Sequence, residues 1–358
     1  MGLTRSPIVL FDRVATYPYK IRVVISVGVV GLGYWGPNLV RNLNACPNIH
    51  LAWLCDTKAD RLQGLGNQYP AAARTSDFND LLNDDKVDAI VIASPVGTHH
   101  ALAKAALLRG KHVLVEKPLA ASVAEAEELA ALAAHHKRVL LVDHVFLYSP
   151  SVRKMAELIR NGDVGEVLFI DSVRINLGIF QHDVNVIWDL APHDLSIIDY
   201  LIGRGPRSVV AAGASHAGKG REDVAYLHLD YGDNLLASVH VNWLSPVKVR
   251  HFLIGGRRRS VLYNELDISE RVKVYDRGID VSEDPEGRRQ TLVSYRSGDV
   301  LAPRLDSAEP LGFLVSHFAD CIEKGTAPIS GAEQGVRIVR VLEAANRSLA
   351  QGGARIDL

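Results

Sequence analysis

Residues Val23–Val30 form a run dominated by β-branched side chains with no polar alternation. Gly31-Leu-Gly33-Tyr-Trp-Gly36 follows at once and leads into the helical sequence NLVRNL. An unbroken apolar run is what a strand buried on both faces requires. So tight a join between strand and helix needs its glycines: Gly31 for the turn, Gly33 so that a ligand can approach the backbone, and Gly36 for packing of helix against strand. A second apolar run, Leu51–Cys55, ends at Asp56, about 20 residues past Gly36. Strand, glycine loop, helix, strand and acid in this order are the signature of a dinucleotide site. The helix N-terminus offers amide donors to the pyrophosphate, and the acid binds ribose hydroxyls. Glycines that serve only a tight turn are the plainer alternative. Because a carboxylate at Asp56 repels a 2′-phosphate, NAD is expected over NADP, with Lys58 and Arg61 close enough in sequence to soften the repulsion.

The alternation continues. Ala89–Ala93, His112–Val115 and Val139–Val142 read as further buried strands, with helical segments between them. Thr98 and Gly110 are expected to cap one helix, and Ser122 with Glu125 forms a capping box before another. Strands alternating with helices predict an α/β, doubly wound parallel sheet over residues 22–143. Beyond it, a helix over 150–161 is followed by strand-like stretches at 167–175, 208–214, 225–229, 235–243, 248–254 and 272–275. Gly232-Asp233 reads as a hairpin turn. One helix, 190–202, interrupts them, and two more (311–324 and 331–350, the second opened by Ser330 and Glu333) close the chain. Residues 144–358 are therefore expected to form an α+β domain on a large, mostly antiparallel open sheet. Residues 277–309 are expected to be a mobile or inserted stretch, and residues 1–21 a poorly ordered extension.

Composition narrows the function classes. At roughly 100–200 residues per domain, 358 residues suggest two domains. Forty Lys and Arg against 41 Asp and Glu exclude a chain held to nucleic acid or an anionic membrane by bulk charge. No apolar run is long enough to span a bilayer, so no membrane partner is expected. The three cysteines, Cys46, Cys55 and Cys321, lie far apart in no ligand spacing, which fits a reducing cytoplasm. No metal is expected.

After the third strand stands Ser94-Pro95, then Thr98-His99-His100, and after the fourth Glu116-Lys117-Pro118. With the glycine loop these segments resemble the Gfo/Idh/MocA oxidoreductases, from about residue 22 to 350. The resemblance implies a Rossmann domain that binds NAD through Gly31, Gly33, Tyr34, Trp35, Gly36, Asp56, Ser94, Pro95, Thr98, His99, Glu116 and Lys117. It also implies that Lys117 sits beside the nicotinamide and contacts the reacting hydroxyl. Position agrees, because cofactors in this fold lie across the carboxyl ends of the strands, where Lys117 falls. An ammonium there can stabilise a developing alkoxide. On position alone, a solvated lysine before a turn stays open.

Trp188-Asp189-Leu-Ala-Pro-His193-Asp194 places Asp189 and His193 four apart on one helical face, with Pro192 expected in the first turn. A pair of residues capping the helix would look the same. The resemblance implies that His193 is the general base or acid and that Asp189 orients substrate or imidazole. Histidine suits proton transfer because both of its protonation states are accessible near working pH. Arg174, Asn176, Gln181, His182 and Asn185 form a polar cluster before the pair, and with Tyr148 they are candidate substrate contacts, a solvated loop being the alternative.

The expected activity is hydride transfer from a secondary hydroxyl of a sugar to NAD. Within the family, YWGPNLVRN and LGIFQHDVNVIWDLAPHDLSI are most similar to enzymes that oxidise C3 of UDP-N-acetylglucosamine or its uronate. Arg174 and Arg250 could pair with a carboxylate or diphosphate. An inositol or free-sugar dehydrogenase, a 3-ketosugar reductase, a glycosidase using transient oxidation, and a non-catalytic NAD-binding sensor stay as alternatives. The resemblance also implies a homodimer or homotetramer assembled through the C-terminal sheet.

Overall fold

The computed structural model describes residues 24–178, 180, 184–217, 220–280 and 294–358. Residues 1–21, Gln181 and His182, for which the sequence raised expectations, lie outside them.

Six strands build the first sheet: β1 (Ile25–Val30), β2 (Ile49–Cys55), β3 (Ala73–Thr75), β4 (Ala89–Ile92), β5 (His112–Val115) and β6 (Leu140–Val142). Their order is β3-β2-β1-β4-β5-β6, and every pairing is parallel. Helices α1 (Gly36–Ala45), α2 (Ala59–Gln68), α3 (Phe78–Asn83), α4 (Val96–Leu108) and α5 (Val123–His135) connect them. The apolar runs earn their burial, since all four residues of β4 have no exposed surface. The order turns between β1 and β4, which puts a ligand crevice at the carboxyl ends of these two strands. The short β3 was not visible as a strand because only three residues pair, at the sheet edge.

Caps explain some boundaries and correct others. Ser122 Oγ accepts from the Glu125 amide at 3.3 Å, the first half of the expected box, but Glu125 Oε2 accepts from the amide of Ala121, one residue before the cap, at 3.1 Å. Thr98 is not an N-cap: α4 starts at Val96 after Pro95, and the Thr98 hydroxyl donates back to the Pro95 carbonyl at 2.7 Å.

The second sheet has nine strands: β7 (Val167–Leu177), β8 (Ser208–Ala214), β9 (Val224–Gly232), β10 (Leu235–Asn242), β11 (Leu244–Gly256), β12 (Ser260–Asn264), β13 (Val272–Asp280), β14 (Ser294–Leu301) and β15 (Ile356–Asp357). Their order is β14-β13-β12-β11-β7-β10-β9-β8-β15, antiparallel throughout except for β7 beside β10. The hairpin between β9 and β10 turns on Asp233 and Asn234, with φ of 54° and 61°, the left-handed pair that matches strand twist. Within the stretch expected to be mobile or inserted, 277–309, the end of β13 pairs antiparallel with β14 at the sheet edge.

Alternation gives this sheet two unlike faces. One is buried beneath α7 (Val186–Ile202) and α9 (Ala332–Ala350), and the other leaves Phe169, Tyr226 and Leu236 exposed. The remaining helices are α6 (Pro150–Arg160) and α8 (Pro310–Lys324). Both closing helices pack back on the first unit. Arg41 of α1 forms a bidentate pair with Glu309, just before α8, and the Val142 amide donates to the Ser330 carbonyl at 2.8 Å. Ser330 does not box α9, whose N-cap is Gly331. Its hydroxyl bonds Tyr148 instead, at 3.0 Å.

Candidate active site

The loop between β1 and α1 has the shape its glycines imply. Gly31 has φ +90°, and a Cβ there would lie 2.6 Å from the Ala93 carbonyl carbon. A Cβ on Gly36 would run into the Gly31 carbonyl oxygen, whereas one on Gly33 would meet only the Arg61 guanidinium, at 3.4 Å. Gly33 thus leaves the backbone open to a ligand. The N-terminus of α1 has neither a capping side chain nor an acidic residue in its first turn, so its amides and positive dipole end are available to a phosphate. Asp56 accepts from the Leu32 amide at 2.7 Å and the Lys58 amide at 2.8 Å, which ties the glycine loop to the end of β2. Arg61 approaches the same carboxylate at 3.5 Å. These residues fit a dinucleotide.

Lys117 follows β5, and its amine crosses to α7. Nζ donates to the Asp189 carbonyl at 2.7 Å and to Asp189 Oδ1 at 3.3 Å. The other carboxylate oxygen accepts from the Trp243 indole at 3.0 Å. At 16% and 19% side-chain exposure, Lys117 and Asp189 are shielded yet open to the cleft. Helix α7 begins earlier than the sequence suggested, because Asn185 Oδ1 caps the Trp188 amide. Pro192 therefore lies inside the helix, not in its first turn. It supplies no amide to the Trp188 carbonyl, and the carbonyl beside that one is the acceptor for Lys117.

His193 stands one turn beyond Asp189, its ring edge-on to Phe146 at 5.1 Å between centroids. Burial, reinforced by the positive charges of Lys117, Arg174 and Arg250, holds its pKa well below 6.5, so the imidazole is neutral. Asp143, after β6, accepts from the Trp35 indole of the glycine loop at 2.7 Å. Burial pushes Asp143 up to about 6, and burial together with Asp143 pushes Glu116 well above the usual carboxylate range. His144, next in sequence, is held neutral by burial.

Several expected contacts have other employment. Tyr148 has no exposed surface and bonds Ser330, which removes it from the cleft wall. Arg174 is sealed at 4% exposure, paired with Asp194 and stacked 4.7 Å from the Phe146 ring, so it acts on the site only through neighbours. The Asn185 amide is committed to Glu222 and Asn346. His99 is buried, its ring nitrogens bonding the Pro118 and Ser94 carbonyls, so it braces two cofactor loops from within. The hydroxyls of Ser94 and Thr98 bond each other at 2.6 Å. Tyr34 is 87% exposed beside the glycine loop. Asn176, on the β7 face that carries Ser172 and Arg174, has a buried Oδ1 with no partner among the described residues.

The sequence pattern did not point to Asp143, His144, Phe146, Trp243 or Glu265 as neighbours of this site. The rule that ligands gather at strand carboxyl ends could have found Asp143 and His144, which follow β6. Trp243, between β10 and β11, and Glu265, which follows β12 and accepts from Arg174 at 3.3 Å, arrive from distant parts of the chain, with no local signal.

Comparison with known proteins adds relatives. Residues 25–144 match the oxidoreductase family with an NAD-binding Rossmann fold, and residues 152–262 match the GFO/IDH/MocA C-terminal domain, together well over half of the chain. A UDP-N-acetylglucosamine 3-dehydrogenase of Acidithiobacillus ferrooxidans is 28% identical over 288 residues, covering 79% of this chain and 87% of that one. Inositol 2-dehydrogenase 2 of Saccharopolyspora erythraea is 29% identical over 229 residues, 61% of this chain and 66% of that one. The crystal structure of a putative oxidoreductase from Magnetospirillum magnetotacticum superposes with a TM-score of 0.77 at 26% identity, covering 90% of this chain and 99% of that one.

Proposed function

Since the chain belongs to the Gfo/Idh/MocA oxidoreductase family and uses NAD, we propose that it oxidises a secondary hydroxyl of a sugar, with C3 of a UDP-linked N-acetylhexosamine as the leading substrate. The observation that carries this reading is the meeting of Lys117, from the first unit, with the Asp189 and His193 helix of the second. Bound at the glycine loop, NAD supplies the hydride acceptor. Neutral His193 takes the hydroxyl proton. Lys117 donates to the hydroxyl oxygen and stabilises charge developing there, and Asp189, fixed by Trp243, holds the Lys117 amine in place. Asn176 offers a carbonyl to a neighbouring hydroxyl.

The same machinery serves an inositol or free polyol, a second reading supported by the Saccharopolyspora relative. A panel of UDP-hexoses, free sugars and inositols, followed by the absorbance of NADH, separates the two. Turnover with a UDP-N-acetylhexosamine that disappears in Lys117→Ala and His193→Ala supports the leading reading. Turnover confined to free polyols moves the assignment to inositol-type chemistry, and silence across the panel with NAD bound rejects both.

The exposed Phe169, Tyr226 and Leu236 share the uncovered face of the second sheet, which supports a homodimer or homotetramer joined there. The free thiols of Cys46, Cys55 and Cys321 suit a cytoplasmic protein, and no helix among the described residues is long and apolar enough to cross a membrane.

A further inference from the structure

Two arginines and one glutamate form a clamp next to His193. Arg174 Nε and Nη2 grip Asp194 at 2.7 and 3.2 Å, and Arg174 Nη1 reaches Glu265 Oε2 at 3.3 Å. The second oxygen of Glu265 accepts from Arg250 Nη1 at 2.7 Å. The Arg174–Asp194 pair is sealed, but Arg250 and Glu265 are each 22% exposed, so this end of the clamp is open. Arg174 stacks on Phe146, whose ring is edge-on to His193, so the clamp reaches the imidazole through one aromatic ring. Each cation near His193 has its own carboxylate: Lys117 with Asp189, Arg174 with Asp194, Arg250 with Glu265. The charges cancel without a ligand.

We infer that Glu265 is a specificity-determining residue: it fills the seat that a carboxylate on the reacting sugar ring would take between the arginines, and so sets the site for a ring that is uncharged. The inference rests on the sugar-oxidising reading and sharpens it, favouring a neutral hexosamine over its uronate. A ring carboxylate would have to displace Glu265 from two guanidinium donors or sit beside it as an unmatched negative charge, and repulsion of this kind is how sites reject near-isosteres. Any diphosphate lies on the far part of such a substrate and is outside this restriction.

Matched pairs test it on the NAD complex: UDP-N-acetylglucosamine against its uronate, and glucose against glucuronate. The wild-type protein is expected to favour the neutral member by roughly tenfold or more, and Glu265→Gln, which loosens Arg250, to narrow or reverse that ratio. A wild-type preference for uronates, or an unchanged ratio in Glu265→Gln, overturns the proposal while leaving the oxidoreductase reading standing. A second readout needs no sugar. Acetate titrated into the NAD complex and followed by the indole N–H signals of the four tryptophans is expected to shift them in Glu265→Gln and not in the wild type. Equal responses overturn the clamp even where no sugar in the panel turns over, and that silence is what rejects the sugar reading.

Discussion

Acidification should unlock His144. The ring is 1% exposed, and neither of its nitrogens has a partner among the described residues. Burial lowers its pKa from 6.5 to about 4, Asp199 opposing and Lys117 adding to the effect. The folded protein thus keeps His144 neutral, while the unfolded chain binds a proton below about pH 6.5. The contribution is fully present above that pH and is lost as pH falls toward the folded value. The gap corresponds to about 3 kcal/mol at completion, of which about 2 kcal/mol is already lost on moving from about pH 7.5 to about pH 5. Urea unfolding of the wild type and His144→Gln at both pH values isolates this amount, because every other group titrates alike in the two. His112, also lowered to about 4 by burial, is one of them. The variant is expected to lose about 2 kcal/mol less than the wild type over this interval. Equal losses would refute the claim that a neutral, enclosed imidazole stands at the end of β6.

Two further substitutions test the site. Gly36→Ala drives a methyl group into the Gly31 carbonyl oxygen, and an NADH fluorescence titration should show affinity reduced by roughly tenfold or more, with the fold intact by circular dichroism. Trp243→Phe keeps an aromatic ring but removes the donor to Asp189. A hydrogen bond to a charged group is worth about 1.5–3 kcal/mol, so turnover should fall roughly 10- to 100-fold while NADH titrates as before; unchanged turnover would dismiss Trp243 as a positioning residue.

The first unit was largely legible because its signals are local. Gly31, Gly33 and Gly36 answer steric demands of one loop, and β4 and the Val113–Val115 stretch of β5 are apolar runs that suit a doubly covered strand. The short β3 and β12 escaped because few residues pair in them, and β14 because it is an edge strand whose sequence, SYRSGDVL, is mostly polar. The start of α7 was misjudged because Pro192 looks like an opening residue, whereas the cap that sets the start is the Asn185 carbonyl group, two turns upstream. The hidden employment of Arg174 and Tyr148 was beyond sequence reading for a different reason. Their partners Asp194, Glu265 and Ser330 lie 20, 91 and 182 positions away, and nothing in the local sequence records a pairing over such separations.

The bond between Lys117 and Asp189 is also a latch. On one side of the molecule the two units are stitched by backbone: Leu141 bridges Gly331, and the Val142 amide holds the Ser330 carbonyl, a seam that makes a natural hinge. On the cleft side they are fastened by a lysine amine and an aspartate, a joint that water can replace. Any gape of the jaws wide enough to separate β5 from α7 unfastens Lys117 from Asp189.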